Sequence, residues 1–297
     1  MFLIAMNFMA TTAYSNKIDS LQTLEEVQRF ITKLDSNVGA DVTSFVKTDI
    51  DSDGLTDLLI NGVNRLMMVM DKGHVGYKIY YIAPSDYISK YSLQKIDSVN
   101  GQKLLLLKRV TKQSVLNNRK YLPKVKEDTS LHSLPSIDYY AYKEAKRVDT
   151  LVYKFNDFIE YHAVPSLYRL KSIRLATTRC LGTCPEYNLT IKSDRSAAYN
   201  AGYYTEKNGH FTGVIEDTVF NELMQLIDYI HVQSLDVNYA IDATDHPTAY
   251  LKVIFDDGQE KSIQDYGMRG TRGLNVLYRF MDELRGSQKW VWDRKIP

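Results

Sequence analysis

The chain has 297 residues, 44% of them apolar and 25% charged, which is enough apolar sequence to bury a sizeable core and excludes a disordered chain, a collagen-like repeat and a disulfide miniprotein. The 37 Lys and Arg residues nearly balance the 36 Asp and Glu residues, for a formal net charge of +1. A chain with so little net charge has no overall field that favours nucleic acid or an anionic membrane, so we expect no nucleic-acid partner.

The chain starts with a short apolar segment. Residues 2–10 (FLIAMNFMA) are too few to cross a bilayer, and small and polar residues follow up to Ser15. This pattern predicts a signal peptide over residues 1–15 and a periplasmic or secreted protein. Because the segment lacks Lys and Arg, the alternative is a frayed apolar N-terminus on a cytoplasmic protein. No later segment approaches the roughly 18 continuous apolar residues of a membrane span, so no transmembrane helix is expected.

The first half is predicted to be β-rich with one leading helix. Residues 21–34 carry apolar side chains at the three- and four-residue spacing of one helical face, and Thr23 is placed to cap the helix. After Val42 the sequence changes to short β-rich runs separated by turn residues. The predicted strands are 42–50, 57–61, 65–70, 77–83, 103–110, 137–142 and 150–162.

The second half is predicted to be an antiparallel sheet with two packed helices. Its predicted strands are 173–178, 187–194, 196–204, 210–215, 249–255 and 259–266, and its predicted helices are 219–230 and 274–284. The helices follow hairpins instead of alternating with single strands, so the class is α+β and not a parallel doubly wound fold. We place the domain boundary near Pro165, which gives a β-rich domain over residues 16–165 and an α+β domain over residues 166–297.

Residues 49–57 carry the most specific chemical signal in the chain. They read DIDSDGLTD, a DxDxDGxxD pattern with four carboxylates in nine residues. Calcium takes about six to eight hard oxygen ligands, and alternate residues of a tight loop can point carboxylates inward while Gly54 permits a sharp turn. An EF-hand would need flanking helices and a Glu at the twelfth position, which here is Ile60. The flanking segments are instead predicted strands.

With strands on both sides, this acidic loop resembles the calcium loop of the FG-GAP and VCBS-type repeats of exported proteins. The resemblance implies a calcium ion with five ligand residues: the carboxylates of Asp49, Asp51, Asp53 and Asp57 and the carbonyl of Leu55. Only one copy of the loop is present, so a propeller of repeats is not implied. The alternative is a solvated Asp-Gly turn without an ion, in which the crowded carboxylates would have raised pKa values.

Cys180 and Cys184 are the only cysteines. In an exported protein two nearby cysteines usually oxidise, and closing so short a loop contributes about 2 kcal/mol by the chain-entropy estimate. This favours a structural disulfide. A redox dithiol usually has CxxC spacing at the start of a helix, whereas a predicted strand follows Pro185. Structural zinc needs four ligands, and two cysteines with one distant histidine supply three.

The CxxxCP segment has an alternative interpretation. Together with a later Asp-His pair, it resembles the Cys-Cys-His site of the thioredoxin-like copper proteins that help to assemble cytochrome oxidase, and soft thiolates select Cu(I). This resemblance implies copper ligation by Cys180, Cys184 and His246, with both cysteines reduced. The helix that those proteins have after the second cysteine is replaced here by a predicted hairpin. Thiol or copper handling is therefore the alternative function.

A larger part of the second half resembles an uncharacterised bacterial domain family. That family carries a Cys-x-Gly-x-Cys-Pro-x-Tyr stretch, which residues 180–187 match, and a Thr-Asp-x-Pro-Thr segment, which residues 244–248 match. Its terminal helix ends in a Trp, here Trp290. The resemblance spans 173–290 and implies a domain boundary and an α+β fold. The family has no assigned activity, so no chemistry follows from it.

The sequence carries none of the common catalytic signatures: GxSxG, HExxH, the Walker loop and GxGxxG are all missing. A hydrolase built on Asp242, Asp245 and His246 would require these side chains to converge in a concave pocket. We predict instead an exported, non-catalytic binding or envelope-associated protein with a calcium-stabilised hairpin and a structural disulfide. Its 22 tyrosines would line sheet faces and offer a platform for an unidentified protein or glycan ligand.

Overall fold

The computed structural model describes residues 16–36, 42–62, 65–84, 89–115 and 141–293. The predicted signal peptide, residues 1–15, and most of the predicted strand 137–142 lie outside these ranges. The chain divides into two compact units between Leu151 and Val152, upstream of the boundary predicted near Pro165. We call them unit 1 and unit 2. The α+β class is confirmed, and no helix in the described ranges is long and apolar enough to cross a membrane.

Unit 1 begins with helix α1 (Leu24–Leu34). Thr23 caps it: the Thr23 hydroxyl accepts a hydrogen bond from the Glu26 N–H at 3.2 Å, and the Glu26 carboxylate accepts one from the Thr23 N–H at 3.0 Å. This reciprocal capping box satisfies two backbone donors that the first turn leaves without helical partners. The predicted helix is confirmed, and it starts at Leu24 because Thr23 adopts an extended conformation as its N-cap.

The first sheet is an antiparallel meander in the order β1-β2-β3-β4. Its strands are β1 (Val42–Thr48), β2 (Asp57–Gly62), β3 (Arg65–Asp71) and β4 (Tyr77–Pro84). Buried side chains of α1 and of the sheet form one apolar cluster, in which the rings of Phe30 and Tyr77 meet edge to face at 5.1 Å. Thr48 pairs with Asp57 at the end of the β1–β2 hairpin, so the acidic loop closes this hairpin.

The next sheet has the order β5-β6-β7-β8, with β5 (Ser89–Val99), β6 (Gln102–Val115), β7 (Ala141–Lys154) and β8 (Asp157–Glu160). β5 was not predicted. Residues 150–162 were predicted as one strand, but β7 turns back into β8 at Phe155 and Asn156. Both residues have positive φ, 52° and 58°, which is the backbone of a tight hairpin turn. Because neither residue is glycine, the turn was not predicted from the residue types.

Unit 2 contains a larger sheet in the order β13-β15-β14-β9-β10-β11-β12-β16. Its strands are β9 (Leu170–Thr177), β10 (Tyr187–Lys192), β11 (Ser196–Ala201), β12 (Gly209–Val214), β13 (Asn238–Ala240), β14 (Thr248–Phe255), β15 (Glu260–Tyr266) and β16 (Val291–Trp292). Neighbouring strands are antiparallel except β13 and β15, which are parallel. The predicted antiparallel sheet is therefore confirmed, with two short strands added at its edges.

Two helices complete unit 2: α2 (Asp217–Tyr229) and α3 (Arg272–Ser287). Both bury apolar side chains. The end of α2 and the start of α3 approach so closely that a Cβ on Gly273 would lie 2.6 Å from the Ile230 side chain.

The start of α3 is held by Glu160 of β8, whose carboxylate accepts hydrogen bonds from the Arg272 and Gly273 N–H groups at 2.8 and 2.9 Å. A carboxylate at this end also interacts favourably with the helix dipole.

Candidate functional sites

The acidic loop is anchored by Asp57, the first residue of β2. This side chain is completely buried. Its two oxygens accept hydrogen bonds from the N–H groups of Ile50 and Asp71, each at 2.9 Å. Burial raises the pKa of Asp57 to about 7, although these two backbone donors act in the opposite direction. The Asp57 carboxylate thus joins the loop to the end of β3.

Three of the four predicted carboxylates come together. Ligand oxygens of Asp49, Asp51 and Asp57 all lie within 4.8 Å of one another, and the described residues contain no second set of His, Cys, Asp and Glu that meets this criterion. Oδ1 of Asp51 is buried and makes no hydrogen bond to any described residue. The cluster therefore offers carboxylate oxygens at the spacing that a hard cation needs.

Asp53 stays outside this cluster and helps to shape the loop. Its Oδ1 accepts a hydrogen bond from the Leu55 N–H at 2.9 Å, while the Asp49 carboxylate accepts from the N–H groups of Asp53 and Gly54 at 3.1 and 3.0 Å. Gly54 has a φ of +85°, a left-handed conformation that glycine adopts without steric cost. The acidic side chains therefore also act as ordinary turn-forming residues.

Lys72 supplies a positive charge that the sequence did not predict. It follows β3 directly, and its ammonium forms an ion pair with Asp51 and lies 3.5 Å from Oδ2 of Asp53. In the sequence, Lys72 simply follows Asp71 and is well separated from residues 49–57, so its contact with the acidic loop could not be predicted. An ammonium at this position neutralises part of the carboxylate charge and competes with a cation for the same oxygens.

Cys180 and Cys184 form a disulfide in the loop between β9 and β10, with a Cα–Cα distance of 5.6 Å. The N–H of Gly182 donates to the Cys180 sulfur at 3.2 Å, and the Thr177 hydroxyl donates to the Pro185 carbonyl at 2.7 Å. As predicted, a strand and not a helix follows Pro185. The disulfide and these hydrogen bonds fix the path of the loop into β10.

The segment around His246 lies beside this loop. Thr178 and Thr248 are joined by two hydrogen bonds, from the Thr178 N–H to the Thr248 carbonyl at 3.0 Å and from the Thr248 N–H to the Thr178 hydroxyl at 2.9 Å. His246 itself is exposed, and its ring meets the edge of Tyr266. With both cysteine sulfurs bonded to each other, Cys180, Cys184 and His246 form no metal site in this structure.

The third hypothesis involved Asp242, Asp245 and His246. All three are exposed, and Asp245 accepts a hydrogen bond from the Thr244 hydroxyl at 3.1 Å. Neither aspartate has a neighbour that buries it. The geometry therefore gives no support to an enclosed acid-base cluster at this position.

The fold and these two sites define an α+β protein of two units, one with an acidic hairpin loop and one with a disulfide-closed loop. Residues 171–285, within unit 2, match a family model described as a domain of unknown function, DUF6438. This agrees with the uncharacterised domain expected over 173–290. The match covers less than half of the chain and brings no activity with it. No curated protein matches the chain.

Proposed function

We propose that this is an exported, non-catalytic binding or envelope-associated protein in which a calcium ion stabilises the β1–β2 hairpin and the Cys180–Cys184 disulfide stabilises the β9–β10 loop. The observation that carries the proposal is the convergence of oxygens of Asp49, Asp51 and Asp57 within 4.8 Å of one another. Three carboxylates this close repel one another, and the single ammonium of Lys72 neutralises only part of their charge.

The proposed ligands come from one short loop: Asp49, Asp51, Asp53, Leu55 through its carbonyl, and Asp57. A carboxylate has about four lone-pair sites, so the oxygens that accept backbone N–H bonds keep the capacity to ligate an ion. Asp51 contributes the oxygen that makes no hydrogen bond, and Asp53 ligates directly or through water. Calcium binding requires the Lys72 ammonium to move away from Asp51. A loop whose side chains all serve one ion leaves no open position for a substrate, so the role is structural.

One feature supports the export part of the proposal. Disulfides persist in oxidising compartments such as the periplasm and the extracellular space, and Cys180 and Cys184 are bonded here. The ligand is an unidentified protein or glycan.

Native mass spectrometry of the full chain, expressed with residues 1–15 and recovered from the periplasm, tests the proposal. We expect a processed chain with one calcium that a chelator removes and with two hydrogens fewer than the reduced form. Asp51→Asn should lose the calcium, because it removes a ligand charge without removing a backbone hydrogen bond. Asp97→Asn, on the partly exposed Asp97 of β5, is the matched control and should keep it.

Two other results of this experiment would contradict the proposal. A metal-free, reduced and unprocessed chain would overturn the calcium, disulfide and export parts together and would leave the acidic loop as a plain turn. A copper adduct that depends on free thiols of Cys180 and Cys184, and that is lost in His246→Ala, would instead establish the thiol or copper alternative. Full oxidation that resists mild reductant contradicts that alternative.

A further inference from the structure

Two histidines of unit 2 lie side by side. His162 follows β8 and His231 follows α2, and their ring centres are 4.6 Å apart with the ring planes tilted by 53°. Both residues are partly exposed. Neither belongs to the acidic loop or to the disulfide-closed loop, so the pair is a separate place on the molecule.

The spacing of the two rings suits one shared metal ion. A zinc ion lies about 2.0–2.1 Å from the nitrogen that binds it, and hence about 3.2 Å from the centre of that imidazole ring. Two imidazoles in neighbouring coordination positions of one ion therefore have centres about 4.5–5.2 Å apart. The observed 4.6 Å falls in this range. A turn of a histidine ring about its Cβ–Cγ bond changes which nitrogen faces its neighbour and scarcely moves the ring centre.

Ser166 holds the ring of His231 by one nitrogen. The Ser166 hydroxyl lies 2.7 Å from Nδ1 of His231. When Nδ1–H donates to this hydroxyl, the lone pair of Nε2 is available to a metal. Histidine ligands are commonly held in this way, through the nitrogen that does not bind the ion. Within the described ranges, His162 is held through its backbone N–H, and no hydrogen bond engages its ring nitrogens.

The end of α2 fixes the backbone of both histidines. The His162 N–H donates to the Tyr229 hydroxyl at 3.2 Å, and the two rings meet edge to face at 5.7 Å. The N–H groups of Ser166 and His231 both donate to the Asp228 carbonyl, at 3.0 and 3.3 Å. One helix end therefore positions the two rings and the hydroxyl that orients one of them, as a preorganised site requires.

The charges around the pair favour a cation. The end of α2 carries the partial negative charge of its last carbonyl groups. The carboxylate of Glu160 also acts on His162, and that of Asp228 acts on His231. Both carboxylates accept backbone N–H bonds, so they supply negative charge while the imidazoles supply ligand atoms. The ammonium of Lys154 lies over a tyrosine ring of the same helix end at 5.2 Å, one positive charge beside two negative ones.

We propose that His162 and His231 together bind one divalent transition-metal ion, with Zn²⁺ as its representative and water in the remaining coordination positions. Imidazole nitrogen suits zinc, copper and nickel, whereas calcium takes oxygen ligands. The site differs in chemistry from the acidic loop, and the inference goes beyond the proposed function without resting on it. The bound ion joins the segment after β8 to the end of α2, and its water positions stay open to a further ligand.

The test is a titration of the full, oxidised, calcium-loaded chain with Zn²⁺, followed by the ¹⁵N chemical shifts of the histidine side chains. We expect one zinc ion per chain and shifts of a ring nitrogen in both His162 and His231 over the same range of zinc concentration. Zinc should also raise the thermal midpoint, because it binds the folded pair. Asp51→Asn, run in parallel, should leave these shifts unchanged, since the acidic loop takes no part.

Variants of each ligand sharpen the test. His162→Phe and His231→Asn should each weaken zinc binding by about tenfold or more, because each removes one of two protein ligands. Asparagine is chosen at position 231 because it tolerates the left-handed backbone there, with a φ of 51°. Ser166→Ala should weaken binding severalfold, and Ser166→Thr should restore it. His210→Phe, at a partly exposed histidine of β12, is the matched control and should bind zinc as the wild type does.

Thermal unfolding without zinc shows which variants are folded, and either ligand variant carries the test if the other is not. Shifts at only one of the two rings, or no zinc binding at all, would overturn the inference. Zinc binding that Asp51→Asn abolishes, or that His210→Phe weakens as much as His162→Phe does, would also overturn it. Calcium and the disulfide are read separately from the mass of the same sample. Failure of this inference and failure of the proposed function are therefore distinguishable.

Discussion

The ammonium of Lys72 lies against the carboxylate of Asp51, 21 residues away along the chain. A residue from the turn after β3 therefore neutralises part of the charge in the loop between β1 and β2. The same contact places a monovalent cation of the protein where the proposed calcium ion must bind. Exchange of one for the other is the chemical event that the proposed function requires.

Lys72→Met should raise the affinity of the loop for calcium by about two- to fivefold, because it removes the competing ammonium from a partly exposed ion pair. Isothermal titration with calcium measures the change. Lys78→Met, at an exposed position of β4, is the matched control and should leave the affinity as it was. Equal affinities in the two variants would show that Lys72 does not compete for the site.

Asp57→Ala should lower the free energy of unfolding by about 2–4 kcal/mol even in the presence of a chelator, because it leaves the buried N–H groups of Ile50 and Asp71 without an acceptor. Asp51→Asn should change the stability by less than about 1 kcal/mol under the same conditions, because Asp51 accepts no backbone hydrogen bond that is lost. Urea unfolding with a chelator present compares them. Similar losses in both variants would contradict this division of roles.

Replacing both cysteines, in the double variant Cys180→Ser with Cys184→Ser, should destabilise the protein by about 2 kcal/mol, the chain-entropy value for so short a loop. The effect should disappear when wild type and variant are compared in strong reductant. Thermal unfolding of both proteins with and without reductant is the measurement. A loss that persists in reductant would assign the effect to packing of the cysteine side chains instead of to the bond.

The region around His162 should lose stability in acid. Its ring lies 4.6 Å from that of His231, whose Nδ1 is 2.7 Å from the Ser166 hydroxyl. Burial, and then the neighbouring His231, lower the pKa of His162, while Glu160 acts in the opposite direction. The unfolded chain takes up a proton near the ordinary histidine pKa of about 6.5, whereas the folded chain resists it until a lower pH.

The free energy of unfolding should therefore fall as the pH drops through about 6.5. His162→Phe keeps a ring of similar shape and should flatten this part of the pH profile. Urea unfolding at a series of pH values from neutral to mildly acidic gives the comparison. His210→Phe, at a histidine on β12 that faces Asn200, should retain the wild-type slope. Parallel profiles for wild type and His162→Phe would refute the assignment.

The elements that could be predicted are those whose signal lies within their own residues. α1 has a complete apolar face and a capping box in its sequence, and β2 and β3 are continuous apolar runs. β5 was missed because its apolar residues are sparse and its order comes from pairing with β6 over its whole length. β13 was missed because three residues are too few to carry a periodic pattern, and its place depends on β15.

The same distinction holds for the sites. The DxDxDGxxD pattern was enough to predict that Asp49, Asp51 and Asp57 come together, because the loop that joins them is short. It did not predict that Asp53 would stay outside, where its Oδ1 accepts a hydrogen bond from the Leu55 N–H instead. A cavity of unit 2, between the β9–β10 loop, the Pro247 segment and α3, was not predicted, because its lining residues lie on elements that are far apart along the chain.

The large sheet of unit 2 ends in its two shortest strands, β13 with three residues and β16 with two. An edge strand presents unpaired backbone groups that can recruit the edge of another sheet, and long flat edges invite aggregation. Here each edge strand itself offers a neighbouring molecule only two or three residues of backbone for pairing. Edge strands this short limit edge-to-edge association at high local concentration.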